Sequence, residues 1–549
     1  MYIHLTTHSA YSLLEGLSLP AELAQAAQAN GMPALGLTDH RLLSGSVEFA
    51  VACKRVGVQP VLGLEIDLET GSLALLAASL EGWANLCRLS SVMALRPEPQ
   101  APCPLDLLAA YTPHLLALSD EQGDSSGRRL RALKELFPDR LYLTLTEPAI
   151  ALHISDLARK VRLPVVVVHP VYYLAPDQAA LQRTLAAIRL NQPLSRIPPE
   201  AAKGGAHFLS PGEMAQRFQG FQGALAASAE IAARCKFDLP LGVAHMPTVP
   251  LPPNLTAAQT LRQKAQAGAL RLYGVITPPI QARLDHELEV IARQGFEPIF
   301  LIVEEILNFA RQTNVPFSSR GSAASSLVAH CLGITSPDPL RLDLYFERFL
   351  NPARTTPPDI DTDLCSRRRD RIIQHVFDVY GEERVAMVGT INRYRARSAL
   401  NDVAKAHGLA PGVVRELVTV LPYAYFARQQ DEDEGVEKPS AFDELRGLYP
   451  SPTYQQIFSQ AEALLNLPRH LSVHAGGVIV APGPLTDLAP VMRSGSKGII
   501  ITQLDLESVE SLGLVKIDLL GIRGLTVLGD VAEFIYASRP GEYASPLAV

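Results

Sequence analysis

Pro357–Arg371 reads PPDIDTDLCSRRRDR, and the alternation within it sets how the rest of the chain is organised. Successive side chains of a strand point to opposite faces, so Asp359, Asp361 and Asp363 share one side while Ile360, Thr362 and Leu364 take the other. Carboxylates in such a row repel one another unless cations neutralise them, and hard oxygen ligands on a rigid strand suit magnesium. Downstream, Ser366 is placed to cap a helix whose apolar stripe is Ile372, Ile373, Val376 and Phe377. Arg367, Arg368, Arg369 and Arg371 crowd its start, where cations oppose the helix dipole. A polyanionic partner or neighbouring carboxylates account for them better than helix stability does; a solvated basic turn is the competing account.

Gly513–Gly521, GLVKIDLLG, predicts a second strand with Leu514, Lys516, Asp518 and Leu520 on one side. A Lys and an Asp emerging together from an apolar strand point to a shared site near metal or phosphate, or to an internal salt bridge. Aspartates from two strands can hold two magnesium ions ~4 Å apart, the arrangement that stabilises both oxygens of an in-line phosphoryl displacement. Nucleotidyl transfer is the reaction class that follows.

Two further groups add anion-binding chemistry. Arg320–Ser326, RGSAASS, opens a helical run, and its small residues let backbone N–H groups approach phosphate, with Arg320 and Ser322 as side-chain donors; a plain helix cap is the alternative. Arg348 and Arg354 lie just ahead of the aspartates, where a triphosphate tail needs neutralising, and Arg393, Arg395 and Arg397 alternate around Tyr394 in a pattern suited to a nucleic-acid backbone. Ordinary surface charge is the rival account for both groups.

Bulk properties limit these readings. A chain of 549 residues, 47% hydrophobic and 19% charged, is a globular protein of about three or four domains. Its net charge of −7 confines any nucleic-acid surface to local patches. Six scattered cysteines without C-x-x-C pairs form neither a disulfide framework nor a cysteine zinc site, which suits a reducing cytoplasm. The opening MYIHLTTHSAYSLLEG lacks the features of a signal peptide, and no apolar run reaches the length of a membrane span.

Before residue 240, β-branched runs such as Pro164–His169 and Pro60–Ile66 alternate with Ala-rich helical stretches such as Leu23–Ala29, which predicts β/α units around a mainly parallel sheet. Met246–Asn254, MPTVPLPPN, marks a linker. Residues 400–468 read as helical, with a solvated acidic loop at Asp431–Glu437, and Gly477–Ala481 reads as another strand.

Four segments taken in order, RGSAASSLVAHCLGIT, FERFLNPARTTPPDIDTDLC, LPRHLSVHAGGVIVAPGPL and TQLDLESVESLGLVKIDLLGIRGLT, resemble the palm of the alpha subunit of bacterial DNA polymerase III, family C. The resemblance implies an α/β multidomain fold: a barrel-like β/α polymerase and histidinol phosphatase (PHP) domain at 1–245, a linker at 246–258, and a polymerase-beta-like nucleotidyltransferase palm at 259–399 and 469–549. A helical thumb at 400–468 is inserted between the palm segments. It implies Asp361, Asp363 and Asp518 as catalytic magnesium ligands, Asp359 as an auxiliary carboxylate, and Arg320, Gly321, Ser322 and Lys516 as holders of the triphosphate. Phe317–Ser319 depart from the Gly-rich approach usual in the family. Primer–template DNA, deoxynucleotides and a sliding clamp are the implied partners. The family continues past the third aspartate into fingers and further domains, so activity from this stretch alone is not expected.

HLTTH, LTDH and PVLGLE bring in His4, His8, Asp39, His40 and Glu65, which match the PHP metal motifs and imply zinc or manganese. Thr6, Glu15, Pro170 and Tyr172 break the ligand set, with His153 and His169 as conceivable substitutes, so the expectation is a structural domain without exonuclease activity. The alternatives to a polymerase are a PHP phosphoesterase or 3′-5′ exonuclease, and a non-catalytic DNA-binding fragment.

Overall fold

The computed structural model describes residues 1–120, 127–351, 357–421, 440–495 and 498–539. Arg354 and the acidic tract at 431–437 lie outside them. The chain divides into two compact units, Met1–Leu239 with Ile391–Ser472, and Pro240–Thr390 with Val473–Val549. Among the described residues no helix is long and apolar enough to cross a membrane.

The first unit is built on a six-stranded sheet in sequence order: β1 (Ala34–Leu37), β2 (Gln59–Leu68), β3 (Gly71–Ala77), β4 (Leu115–Ser119), β5 (Leu141–Leu145) and β6 (Val165–Val167). The runs at 60–66 and 164–169 fall in β2 and β6. The sheet is less parallel than the β/α rhythm predicts. Only two residues separate β2 from β3, too few for a crossover, so these strands pair antiparallel, as do β3 and β4; the other neighbours are parallel.

The helices at Ala396–Ala406, Pro411–Val420, Asp443–Leu448 and Pro452–Ala463 belong to this same unit. Their apolar stripes supply Leu400, Val403, Leu417, Phe442 and Phe458 to one core with Leu17, Tyr173 and Leu185. Thr184 also donates to Gln460 at 3.0 Å, and the Leu194 N–H donates to the Ala406 carbonyl at 2.8 Å. The stretch read as an insertion between palm segments therefore shares its hydrophobic burial with the start of the chain.

The second unit holds a seven-stranded mixed sheet. Its strands are β7 (Phe317–Arg320), β8 (Asp361–Cys365), β9 (Val385–Arg393), β10 (Pro468–Val480), β11 (Val491–Arg493), β12 (Ile500–Thr502) and β13 (Lys516–Ile522), ordered β11-β12-β9-β10-β13-β8-β7. Four helices matter for the site: α1 (Pro278–Gln294), α2 (Leu327–Cys331), α3 (Arg369–Tyr380) and α4 (Arg523–Ser538). Ile372, Ile373, Val376 and Phe377 of α3 are buried as the sequence stripe predicts, in a core with Leu364, Ile517 and Leu519.

Phe458→Ala tests the composition of the first unit. Emptying this buried position costs about 3–5 kcal/mol, and Trp83, the sole tryptophan and buried in the same unit, reports unfolding by fluorescence. The Trp83 transition is expected to move to lower denaturant by that amount; an unmoved transition would mean the helices fold apart from the sheet.

Candidate active site

The site is centred on the pairing of β8 with β13. These strands run parallel, with Leu519 opposite Thr362 and Leu520 opposite Asp363. On the other side of β13, β10 runs antiparallel with Gly477 opposite Asp518, and β7 closes the edge antiparallel to β8 with Arg320 opposite Asp361. Period-two alternation then turns the aspartates of β8 and β13 to one face. One carboxylate oxygen from each of Asp359, Asp361 and Asp518 lies within 4.8 Å of the others. Asp359 precedes β8 and is exposed, Asp361 is half-buried and Asp518 is buried.

Two cations balance this face. Lys516 Nζ reaches Asp518 Oδ2 at 2.6 Å, while Asp518 Oδ1 is buried and has no partner among the described residues. Arg320 donates from Nε to Asp363 Oδ1 at 3.1 Å, and its Nη1 is 3.7 Å from Asp361 Oδ2. Burial first, and then the charge of Asp359, hold the Asp361 carboxyl above its usual range despite Arg320. A buried oxygen without a partner, beside two carboxylates whose charges disfavour each other, is a donor set suited to a divalent cation. Asp363, read from the sequence as an equal member, is instead drawn to Arg320, and Asp359 takes its place in the converging trio.

Beside the trio, Arg320 leads into a tight turn. Gly321 has φ +82°, which only glycine adopts without strain, and a 3-10 helix runs from Gly321 to Ser325. The start of α2 is not open to phosphate as the sequence suggested. Its Leu327 and Val328 N–H groups donate to the carboxylate of Glu287 at 2.9 and 3.0 Å, and the Ser326 hydroxyl does so at 2.8 Å. Glu287, on α1, is fully buried and paired with Arg283 Nε at 2.6 Å; Arg283 also donates to the Ser325 and Leu344 carbonyls. Burial raises the Glu287 carboxyl from its ordinary range against these donors. Sequence reading missed this brace. The available signal was a carboxylate lying in the apolar stripe Ile280, Leu284, Leu288 and Ile291 of a helix.

The arginine run at the start of α3 is committed within the protein. Arg367 makes a bidentate pair with Asp530 at 3.0 and 3.1 Å, Arg368 pairs with Glu533, and Arg369 donates to the Leu519 carbonyl at 2.6 Å. Arg371 lies over the Phe309 ring. Arg348 is exposed, and Arg354 is outside the described residues. Phe317–Ser319, the departure from a Gly-rich approach, form the edge strand β7, with Arg311 stacked over Phe317.

Arg393, Arg395 and Arg397 lie in the first unit. Arg393 donates to the Asn466 carbonyl and the Tyr11 hydroxyl, Arg395 donates to the Asn466 side chain, and Arg395 and Arg397 are exposed. Tyr394 between them is fully buried and cannot stack on a base.

The histidines of the first unit face protein groups. His4 Nε2 donates to the Leu209 carbonyl at 2.8 Å, and burial lowers its pKa to about 4. His8 stacks on Tyr172 at 4.1 Å, with Nε2 3.2 Å from Glu65. Asp39 accepts from the Ser9 N–H, the Ser9 hydroxyl and the Ser12 hydroxyl, each at 2.7 Å. His40 bridges Glu15 at 2.9 Å and Asp67 at 3.0 Å, which requires both ring nitrogens to carry protons. Arg189 and Arg41 complete the network on Glu15 and Asp67. His153 lies exposed on its helix, and His169 Nε2 donates to the His207 carbonyl, so neither substitutes for a missing ligand. As arranged, the Nε2 of His4 and both ring nitrogens of His40 donate to protein acceptors and are not open as metal ligands, whereas His8 Nδ1 is buried without a partner among the described residues.

Residues 259–521 match the bacterial DNA polymerase III alpha NTPase domain family, and residues 4–151 match the PHP domain family. The chain is 35% identical to an error-prone DNA polymerase of Symbiobacterium thermophilum, across 97% of this chain and 52% of the relative. It is 33% identical to DNA polymerase III subunit alpha of Bacillus subtilis, across 97% of this chain and 49% of the relative. The chain thus spans about half the length of the curated relatives it matches. Among solved structures, a metal-dependent phosphoesterase described from Bifidobacterium adolescentis gives 17% identity and a TM-score of 0.22 over 31% of this chain and 86% of that one, a likeness too slight to carry an argument.

Glu287→Ala leaves the Arg283 Nε–H, the Ser326 hydroxyl and two backbone N–H groups without their carboxylate acceptor, so a loss of about 3–5 kcal/mol is expected in denaturant titration, with Glu287→Gln milder. The His40 network predicts a pH dependence. Burial alone would lower the His40 pKa, but hydrogen bonds to Asp67 and Glu15 outweigh it and raise it from 6.5 to about 9. Its stabilisation is therefore complete below about pH 6.5 and lost as pH climbs through about 9. The stability gap between the native chain and His40→Gln should close across that window; a constant gap would refute the charged bridge.

Proposed function

The chain belongs to the bacterial DNA polymerase III alpha family, and we propose that it carries the metal-binding palm of a DNA-directed DNA polymerase, which transfers a deoxynucleotide onto a primer 3′-hydroxyl in DNA replication. The observation that supports this reading is the convergence of Asp359, Asp361 and Asp518 around the unpartnered Oδ1 of Asp518. Asp361 and Asp518, with Asp359 and Asp363 to either side, are the residues to hold magnesium. Two such ions supply Lewis-acid stabilisation of the attacking and leaving oxygens of an in-line displacement.

The chain's own cations have a matching role. Arg320 and Lys516 rest on carboxylates and are long enough to pass to the oxygens of a triphosphate, where each stabilises charge on the departing pyrophosphate. The turn at Gly321 brings backbone close to the carboxylate face, and Ser322 offers a hydroxyl donor beside it. Because the start of α2 is filled by Glu287, phosphate contact falls to this turn and to Arg320, with Arg348 and Arg354 as further candidates. Arg395 and Arg397 are proposed for the DNA backbone, and Arg393, at the end of β9, serves to hold the segment that leads to them. The palm is assigned to 259–399 and 469–549, the thumb to 400–468 and the PHP domain to 1–245.

A phosphoesterase in the first unit is the less favoured reading. His4 and His40 donate to protein acceptors, which supports a structural role for this domain instead of a zinc or manganese enzyme.

Calorimetric titration of the 549-residue chain with dATP and magnesium tests the palm assignment. Binding of the nucleotide is expected to depend on magnesium, and Asp361→Asn is expected to abolish that dependence while leaving the melting temperature equal or higher, since it removes repulsion. Magnesium-dependent binding that survives Asp361→Asn and Asp518→Asn would refute the reading.

A further inference from the structure

Helix α4 follows β13 directly and is amphipathic in an inverted sense. Thr526, Asp530 and Glu533 recur at i, i+4 and i+7, so they share one face, and this polar face is the one turned to the protein. Thr526 Oγ1 lies 2.8 Å from Ser366 Oγ and accepts from the Ser366 N–H at 3.0 Å, Asp530 takes the bidentate pair with Arg367, and Glu533 pairs with Arg368. Gly529 is the helix's buried residue; a Cβ there would lie 2.7 Å from Pro316 Cγ, so the approach requires glycine.

The adjoining face carries Val527, Val531 and Phe534 at the same spacing, with Leu528 beside them. Their exposures are 62%, 50%, 74% and 64%. Leu152 is exposed singly, and Leu270, Leu272 and Val275 are exposed where another helix ends, whereas these four line one face of a helix. Single exposed apolar residues are ordinary, but a contiguous apolar stripe on a helix pinned by polar contacts marks a surface meant to be covered. The spacing is that of a helix seated against an apolar partner.

Family membership supplies the partner. The relatives from Symbiobacterium and Bacillus are about twice as long as the stretch this chain matches, so they carry about as much polypeptide again beyond the shared part. We propose that the Val527–Leu528–Val531–Phe534 face of α4 is the seat of polypeptide from that other half of the family's length, held by apolar contact. The arginine clamps at the start of α3 then fix the angle at which the helix is presented. This rests on family membership and not on the chemistry assigned to the aspartates.

The test mixes the 549-residue chain with the unmatched part of the Bacillus subtilis relative, expressed separately, without metal or nucleotide, and follows association by sedimentation velocity. A one-to-one complex is expected, weakened at least about tenfold by Phe534→Asp or Val531→Asp and unchanged by Leu152→Asp, a control at an exposed apolar residue of the first unit. Because Phe534 is exposed, its substitution leaves the melting temperature of the free chain unchanged. Absence of a complex, or a complex indifferent to Phe534→Asp, overturns the proposal. So does self-association of the chain alone that Phe534→Asp abolishes, which would make a second copy the occupant. Because the readout omits magnesium and dATP, failure of this proposal and failure of the palm assignment remain separate outcomes.

Discussion

The parallel pairing of β8 with β13 is the constraint on which the second unit depends. It joins two segments more than a hundred residues apart in sequence and turns their aspartates to the same side. A one-residue slip of β13 would turn Asp518 into the apolar core beside Leu364 and carry Ile517 and Leu519 out of it. The apolar face thus locks the register, and the register creates the charged face. Lys516 on Asp518 and Arg320 between Asp361 and Asp363 offset the repulsion on that face. Both are long side chains at the margin of the site, able to leave a carboxylate for another anion, so the contacts that make the resting fold tolerable also supply the cations nearest the trio.

The alternation of Asp359, Asp361 and Asp363 was legible because strand period is a local property, as was the pairing of Lys516 with Asp518. Which aspartates converge was not. That depends on β7, whose antiparallel register sets Arg320 opposite Asp361 and draws Asp363 to it. The arginine run after β8 failed to declare itself for the same reason: it is answered by Asp530 and Glu533, some 160 positions away. Tyr394, which the sequence sets among three arginines, is buried in the core built by the helices that follow. The β/α rhythm of the first unit was visible, whereas its antiparallel middle followed from a two-residue link whose weight was not recognised.

In the first unit, residues of metal-binding types are hydrogen-bonded and ion-paired to one another. His40 holds a proton between Glu15 and Asp67, and burial keeps His4 neutral while its Nε2 is bound to a carbonyl. Arg41 and Arg189 add fixed positive charge to the same carboxylates. Charges on side chains cannot be lost to a chelator, and they tie Asp67 in β2 to Glu15 and to the helix carrying Arg189. A network of that kind contributes rigidity where a bound ion would contribute reactivity.

The Glu287 brace carries the reasoning one step further. A helix start is ordinarily a ready anion site, because its first N–H groups lack partners. In α2 a buried carboxylate of the protein has taken that place, and Arg283 ties the same carboxylate to the carbonyls of Ser325 and Leu344. Donors already answered by Glu287 are not available to a phosphate. What they achieve is to fix the end of the 3-10 turn whose other end is Gly321 and Arg320, opposite Asp361. The small residues of RGSAASS are therefore explained by a turn that must pass close to the carboxylate face and be held rigid from behind, and any anion bound there must be gripped at the Arg320–Gly321 end.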